Sequence, residues 1–252
     1  MKLRVHETSG GMAKAAAEAA ARILREAISQ KGHAAFIAAT GASQFDFLAH
    51  LVAAPGIQWE RTTMFHLDEY IGFSADHPAS FRRYLRERLT SQVPIGKAHF
   101  IEGDAPNLDE ELGRLNRILS MTPMDVAFVG IGENGHLAFN DPPADFTVET
   151  PYIIVNLDEA CRRQQFGEGW FTSLDDVPTQ AISMSVKQIM KSAHVICTVP
   201  ERRKAEAVKA CLEGEIRPML PASILRTHPR SQLFLDRESA SQLSLSSLST
   251  WA

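Results

Sequence analysis

The sequence predicts an α/β protein: a three-layer domain in which a largely parallel sheet carries helices on both faces. Three observations predict it. Short strand-like runs alternate with segments of helical spacing over most of the chain, the pattern of crossover units feeding a parallel sheet. The 252 residues suffice for one large α/β domain with a substantial core. No internal repeat and no proline- or glycine-rich linker divides the chain, so residues 1–252 are read as a single unit.

The elements follow in order. Residues 1–6 begin as a strand. Residues 12–30 are alanine-rich, and Met12, Ala16, Ala20, Ile23, Leu24 and Ala27 fall near helical spacing, so a helix comes next. A strand is expected at 34–39, a helix at 44–53 and a strand at 62–67. Residues 79–90 read as an amphipathic helix, with Arg82, Arg83, Arg86 and Arg88 as a solvated basic face. A short strand at 97–101, a helix at 108–119 and an apolar strand at 126–129 follow. Further on come a strand at 152–155, a short helix around 158–163, a strand at 181–185 and a helical turn at 186–190. A buried strand at 193–199 precedes a helix at 202–212 that stops near Gly214, and 233–235 forms a last short strand. The Ser- and Leu-rich tail, 239–252, reads as a frayed helix or a docking segment.

Composition excludes several classes. The formal net charge is -4, against the clustered positive field that nucleic-acid binding needs. No apolar run approaches the ~18 residues of a membrane helix, and the N-terminus lacks the apolar core of a signal peptide. Cys161, Cys197 and Cys211 are odd in number and spaced for neither a zinc site nor a disulfide framework. A reduced, cytoplasmic setting is expected. The scattered histidines lack paired ligand spacing, so no metal is expected either.

Three loops at strand ends concentrate the chemistry. After 34–39 comes Thr40-Gly-Ala-Ser43, whose small residues let backbone amides approach an anion at a helix N-terminus. After 62–67 comes Asp68-Glu-Tyr70. After 126–129 comes Gly130-Ile-Gly-Glu-Asn-Gly-His-Leu-Ala-Phe-Asn140, followed by Asp141 and two prolines. Open parallel sheets bind ligands beyond the carboxyl ends of their strands. The three loops therefore bring an anion seat, a carboxylate and a histidine to one sheet edge, and the histidine suits proton transfer near neutral pH.

These runs, with His77-Pro-Ala-Ser80, Lys204-Ala-Glu-Ala, Leu212-Glu-Gly214 and Pro221-Ala-Ser-Ile-Leu-Arg-Thr-His228, carry a resemblance. From about residue 1 to about 238 the chain resembles glucosamine-6-phosphate deaminases, also called isomerases, which share a fold with 6-phosphogluconolactonases. The resemblance implies a Rossmann-like three-layer fold and conversion of glucosamine 6-phosphate and water to fructose 6-phosphate and ammonia, with no cofactor. It implies that Asp68 is the base moving a proton between C2 and C1, and that His136 opens the sugar ring. Asp141, with Asn134, would set the charge and orientation of His136. Thr40, Gly41, Ala42, Ser43 and Lys204 would hold the phosphate. Asn134 stands where many family members have Asp, and Asp141 is one methylene shorter than the family's Glu. The family's lid arginine has Arg162 and Arg163 as candidates here. The partner implied is a small-molecule sugar phosphate, with no nucleic acid and no membrane; homo-oligomerisation stays open. Lactonase activity, isomerisation of another amino-sugar phosphate, and a non-catalytic sugar-phosphate sensor are the alternatives. His66 reads as a packed residue within its strand, and His228 as a substrate ligand or a turn cap.

Overall fold

The structure, a computed structural model, describes residues 1–251, with side chains through 248. Two sheets organise it. The large one has seven strands, all parallel, in the order β1-β10-β9-β6-β2-β3-β5. These are β1 (Lys2–His6), β2 (Ala34–Ala38), β3 (Thr62–His66), β5 (Lys97–His99), β6 (Val126–Val129), β9 (His194–Val199) and β10 (Ser231–Asp236). The small sheet is antiparallel, with β8 (Gln180–Met184) between β4 (Asp68–Tyr70) and β7 (Tyr152–Asn156). The helices are α1 (Ser9–Lys31), α2 (Phe45–Val52), α3 (Phe81–Leu85), α4 (Leu108–Ser120), α5 (Glu159–Gly167), α6 (Val186–Met190), α7 (Ala205–Glu213) and α8 (Leu245–Trp251).

Strand side chains alternate between two faces, and in β2 both faces are buried. Ala34, Phe36 and Ala38 join one core with α1, α2 and α3, beside Met64, Phe128 and Phe234. Ala35 and Ile37 join a second core with Phe65, Val129 and Cys197, beneath α4, α6 and α7. Each fully buried large apolar side chain contributes roughly 1.5–3 kcal/mol. The expected helix-sheet-helix sandwich is therefore present.

Local chemistry sets the element ends. Thr8 accepts from the Gly11 amide at 3.1 Å to start α1, and Gly32 ends it at φ 82, the left-handed conformation glycine adopts freely. Asn107 caps α4 by accepting from the amides of Asp109 and Glu110. The helix expected at 79–90 is α3 running into a π-helical stretch, Arg86–Thr90. Its basic face is less solvated than expected. Arg82 is 5% exposed, donates to Phe73 O at 2.5 Å and pairs with Asp104 at 2.6 Å.

The runs expected at 152–155 and 181–185 are strands, but they pair in the small sheet. Asp68, Glu69 and Tyr70 form its third strand, opposite Ser183, Ile182 and Ala181. Of the tail, Leu243 and Leu248 pack against the second core. Glu213 Oε1 accepts from Ser244 N at 2.7 Å and from Ser247 Oγ at 2.8 Å. Residue 252 lies outside the described residues. Among those described, no helix is long and apolar enough to cross a membrane.

Candidate active site

In the large sheet β2 and β6 are neighbours, yet the chain leaves them in opposite directions. From β2 it proceeds to β3 and β5, and from β6 to β9 and β10. Such a divergence opens a crevice at the carboxyl ends of the strands. A cleft open to solvent occupies that position. All three loops singled out in the sequence meet there.

The loop after β2 supplies Thr40, Gly41 and Ser43 to the cleft wall. Gly41 has φ 88, which turns the chain sharply into a 3-10 turn, Ala42–Gln44, ahead of α2. Tyr84 Oη donates to Gly41 O at 3.0 Å, and Gln44 Nε2 donates to Thr198 Oγ1 at 2.8 Å and to Ser43 Oγ at 3.1 Å. The turn is thus pinned to α3 and β9. Lys204 approaches from a 3-10 turn, Arg202–Lys204, and is 4% exposed. Burial lowers its pKa to about 8, even though Glu133, Glu168 and Glu201 favour the cation.

Asp68 lines the cleft at 5% exposure. Burial, then the neighbouring Glu69 charge, raises its pKa to about 8. Glu69 faces the other way and anchors the corner. Its oxygens accept from the amides of Tyr70, Phe81 and Arg82 and from Ser80 Oγ, at 2.8–3.1 Å. Burial still pushes the Glu69 carboxyl upward against these four donors. One acid is thus fully engaged in structure, and the other is left facing the cleft.

His136 comes from the loop after β6. A side chain on Gly132 would meet the imidazole at 2.3 Å, so glycine there is what lets the ring lie against the loop backbone. Asn134 Oδ1 accepts from the His136 amide at 3.0 Å. Asn134 Nδ2 donates to Asp141 Oδ1 and to Asp158 Oδ2, each at 3.1 Å. His136 Nδ1 lies 3.1 Å from Asp141 Oδ1, at pairing distance but off the line of a straight hydrogen bond. Burial works to raise the Asp141 carboxyl; His136, the Asp158 amide and Asn134 outweigh it and hold the group below its usual range. Asp141 and Asn134 therefore stand behind the imidazole, outside the cleft wall. Asn140 fastens the loop by donating to Leu137 O and Met184 O, both at 2.8 Å.

His136, Asp141 and Cys161 bring one donor atom each within 4.8 Å of one another. Burial drives the Cys161 thiol far above its usual range, so the free thiol stays protonated.

The sequence matches the family described as glucosamine-6-phosphate isomerases/6-phosphogluconolactonase over residues 7–234. The chain belongs to that family. It is 37% identical over 205 residues to a glucosamine-6-phosphate deaminase of Streptococcus pyogenes serotype M1, covering 81% of this chain and 86% of that protein. Against the deaminase of Streptococcus pneumoniae strain 70585 the identity is 35%, with 81% and 85% covered. The structure of a monomeric glucosamine-6-phosphate deaminase superposes with a TM-score of 0.87 at 30% identity, covering 96% of this chain and all of that one. The 6-phosphogluconolactonase of Trypanosoma brucei shares the fold, at TM-score 0.78 and 19% identity, with 96% and 98% covered.

Within this family member, the cleft also holds residues that sequence reasoning passed over. Helix α5 turns Gln164, Gln165 and Glu168 into it, and Arg203 joins Lys204. Gln164 Oε1 accepts from the Glu133 amide at 2.8 Å, and Gln165 Oε1 accepts from Tyr70 Oη at 2.8 Å. Arg203 donates to Glu201 at 2.6 Å and to Glu133 at 3.0 Å. Neither lid candidate lines the cleft. Arg162 donates to the carbonyls of Val177 and Leu174, and Arg163 pairs with Glu159. The usable signal was helical spacing: residues 164, 165 and 168 share one face of a helix that 162 and 163 do not. His228 is a turn residue, with Nε2 2.8 Å from Ser192 O and Nδ1 accepting from the Arg230 amide at 3.1 Å. His66 is fully buried in β3, as expected.

Proposed function

We propose that the chain converts glucosamine 6-phosphate and water to fructose 6-phosphate and ammonia. One observation carries the reading: a single cleft presents a desolvated carboxylate, Asp68, and a carboxylate-backed imidazole, His136, beside an anion seat. The phosphate sits on the 41–43 turn with Lys204, so that binding energy remote from the reacting carbons orients the sugar. His136, with Nδ1 turned to Asp141, presents Nε2 to the sugar. It takes the O1 proton and returns one to O5, breaking the C1–O5 bond. Asp68 then takes the C2 proton and delivers it to C1 while one proton passes from the 2-amino group to O1, leaving a hydroxyl at C1 and an imine at C2. Water adds to that carbon and ammonia leaves. A base with a pKa near the working pH is best placed to accept and to return the same proton. The three buried free cysteines support a cytoplasmic location for this amino-sugar chemistry.

Ammonia release separates the roles. Asp68→Asn is expected to cost 10²–10⁴-fold in turnover and to leave substrate affinity by calorimetry nearly unchanged; near wild-type turnover would remove Asp68 from the chemistry. Asp141→Asn is expected to slow the ring-closed substrate strongly and an analogue held in the open form much less, whereas Asp68→Asn harms both alike. Equal slowing of both substrates by Asp141→Asn would detach Asp141 from ring opening.

A further inference from the structure

The anion seat has an acid on it. Glu168 ends α5 and sends its carboxylate into the cleft. Its Oε2 accepts from the Ala42 amide at 3.4 Å and lies 3.6 Å from where a side chain on Gly41 would begin. Its Oε1 accepts from Gln164 Nε2 at 3.3 Å. Its charge favours the cationic forms of both Lys204 and Arg203. A carboxylate against a turn amide, facing a buried lysine, fills the place expected of a phosphate oxygen. It fills it poorly, because charge-assisted N–H···O contacts normally run about 2.7–2.9 Å. Glycines flank it: Gly167, and Gly169 at φ 84. The Glu168 amide donates to Gln164 O at 3.1 Å and the Gly169 amide to Phe166 O at 3.0 Å, so the backbone is held and it is the side chain that turns aside, by rotation about its own bonds.

We propose that Glu168 is a specificity-determining residue: an internal anion that occupies the phosphate seat of the empty site and yields it only to a dianionic group on the sugar. The inference rests on the sugar-phosphate reading above. Exchanging one monoanion for another gains little charge attraction from Lys204 and the turn amides. Exchanging a carboxylate for a phosphate dianion gains the additional charge. Glu168 therefore weakens every anion somewhat and excludes sugars whose 6-position bears a single charge.

The test compares fructose 6-phosphate with glucuronate, which carries a carboxylate at the same end, by calorimetry on the wild type, Glu168→Gln and Glu168→Ala. The wild type should bind only the phosphate. Both variants should bind fructose 6-phosphate roughly tenfold tighter, the scale of removing one nearby like charge, and should gain measurable glucuronate binding. KM for the amino-sugar phosphate should fall while kcat holds. Weaker fructose 6-phosphate binding in both variants would make Glu168 a ligand of the substrate and overturn the proposal. Unchanged affinities would overturn it as well. Failure of the folded wild type to bind fructose 6-phosphate at all would overturn the sugar-phosphate reading too, which separates the two failures.

Discussion

At the scale of single residues, Asp68 and Lys204 share a pKa of about 8 from opposite directions. In the proposed reaction Asp68 must be ionised to accept a proton, and Lys204 must be charged to hold phosphate. In the free enzyme kcat/KM should therefore rise as Asp68 ionises, fall as Lys204 loses its charge, and trace a narrow bell centred near pH 8. Bound phosphate favours the lysine cation, so the alkaline limb should shift upward in kcat. Lys204→Arg, whose cation persists, should abolish that limb in kcat/KM, as read from ammonia release across pH. Lys204→Ala should weaken fructose 6-phosphate by roughly 1.5–3 kcal/mol. The burial of Asp68 also carries a stability cost. Its native pKa exceeds the ordinary 3.8, so between about pH 4 and 8 the native state keeps a proton that the unfolded chain releases. Stability falls through that window, by at most about 1.4 kcal/mol per pH unit. Asp68→Asn should then raise the thermal midpoint more at pH 8 than at pH 4. Asp68 was legible in the sequence because it punctuates a strand end, whereas Lys204 entered only through the family resemblance. The double role of the acidic pair was not legible: which of two adjacent carboxylates is satisfied depends on Ser80, Phe81 and Arg82 arriving from α3.

At the scale of elements, α5 explains most of what the sequence concealed. Its expected span, 158–163, stops before the turn that carries Gln164, Gln165 and Glu168 into the cleft. The residues beyond 163 show no apolar stripe and include two glycines, because the helix turns a polar face to the cleft. Asp158 was read only as the start of that helix. Its Oδ1 accepts from the Cys161 amide at 2.6 Å to cap α5, while Oδ2 holds Asn134. Asp158→Ala should cost about 0.5–2 kcal/mol by thermal or urea unfolding and slow ring opening in addition. Asp158→Ser should restore the cap and the stability but not the Asn134 contact. The comparison of closed and open substrates then isolates the loop effect. The small sheet escaped for another reason. Its strands were visible at 152–155 and 181–185, but their partners are set by non-local antiparallel pairing, and Asp68-Glu-Tyr70 has no apolar run to mark it as a strand.

At the scale of the whole molecule, the alternation of strands and helices conveyed the layers, while the order of strands came only from the structure. That order matters because the cleft stands over the junction of β2 and β6. Their ladder has two registered pairs, Phe36 with Val126 and Ile37 with Ala127, against five between β2 and β3. Asp125 braces its lower end. Its amide donates to Ala35 O at 2.8 Å, its Oδ2 accepts from Ala35 N at 2.8 Å, and its Oδ1 pairs with Lys31 at 2.7 Å. Asp125→Ala leaves the Ala35 amide without its partner and should cost about 1–3 kcal/mol in urea unfolding. The loss should be accompanied by faster amide hydrogen exchange in β2 and β6. The anion turn and Asp68 ride with β2 and β3, whereas His136 and Lys204 ride with β6 and β9. The distance between the two groups proposed to move protons is therefore a mechanical property of a short joint. Slackening that joint far from the sugar should detune ring opening against the C2–C1 transfer while leaving the acidity of each group as it was.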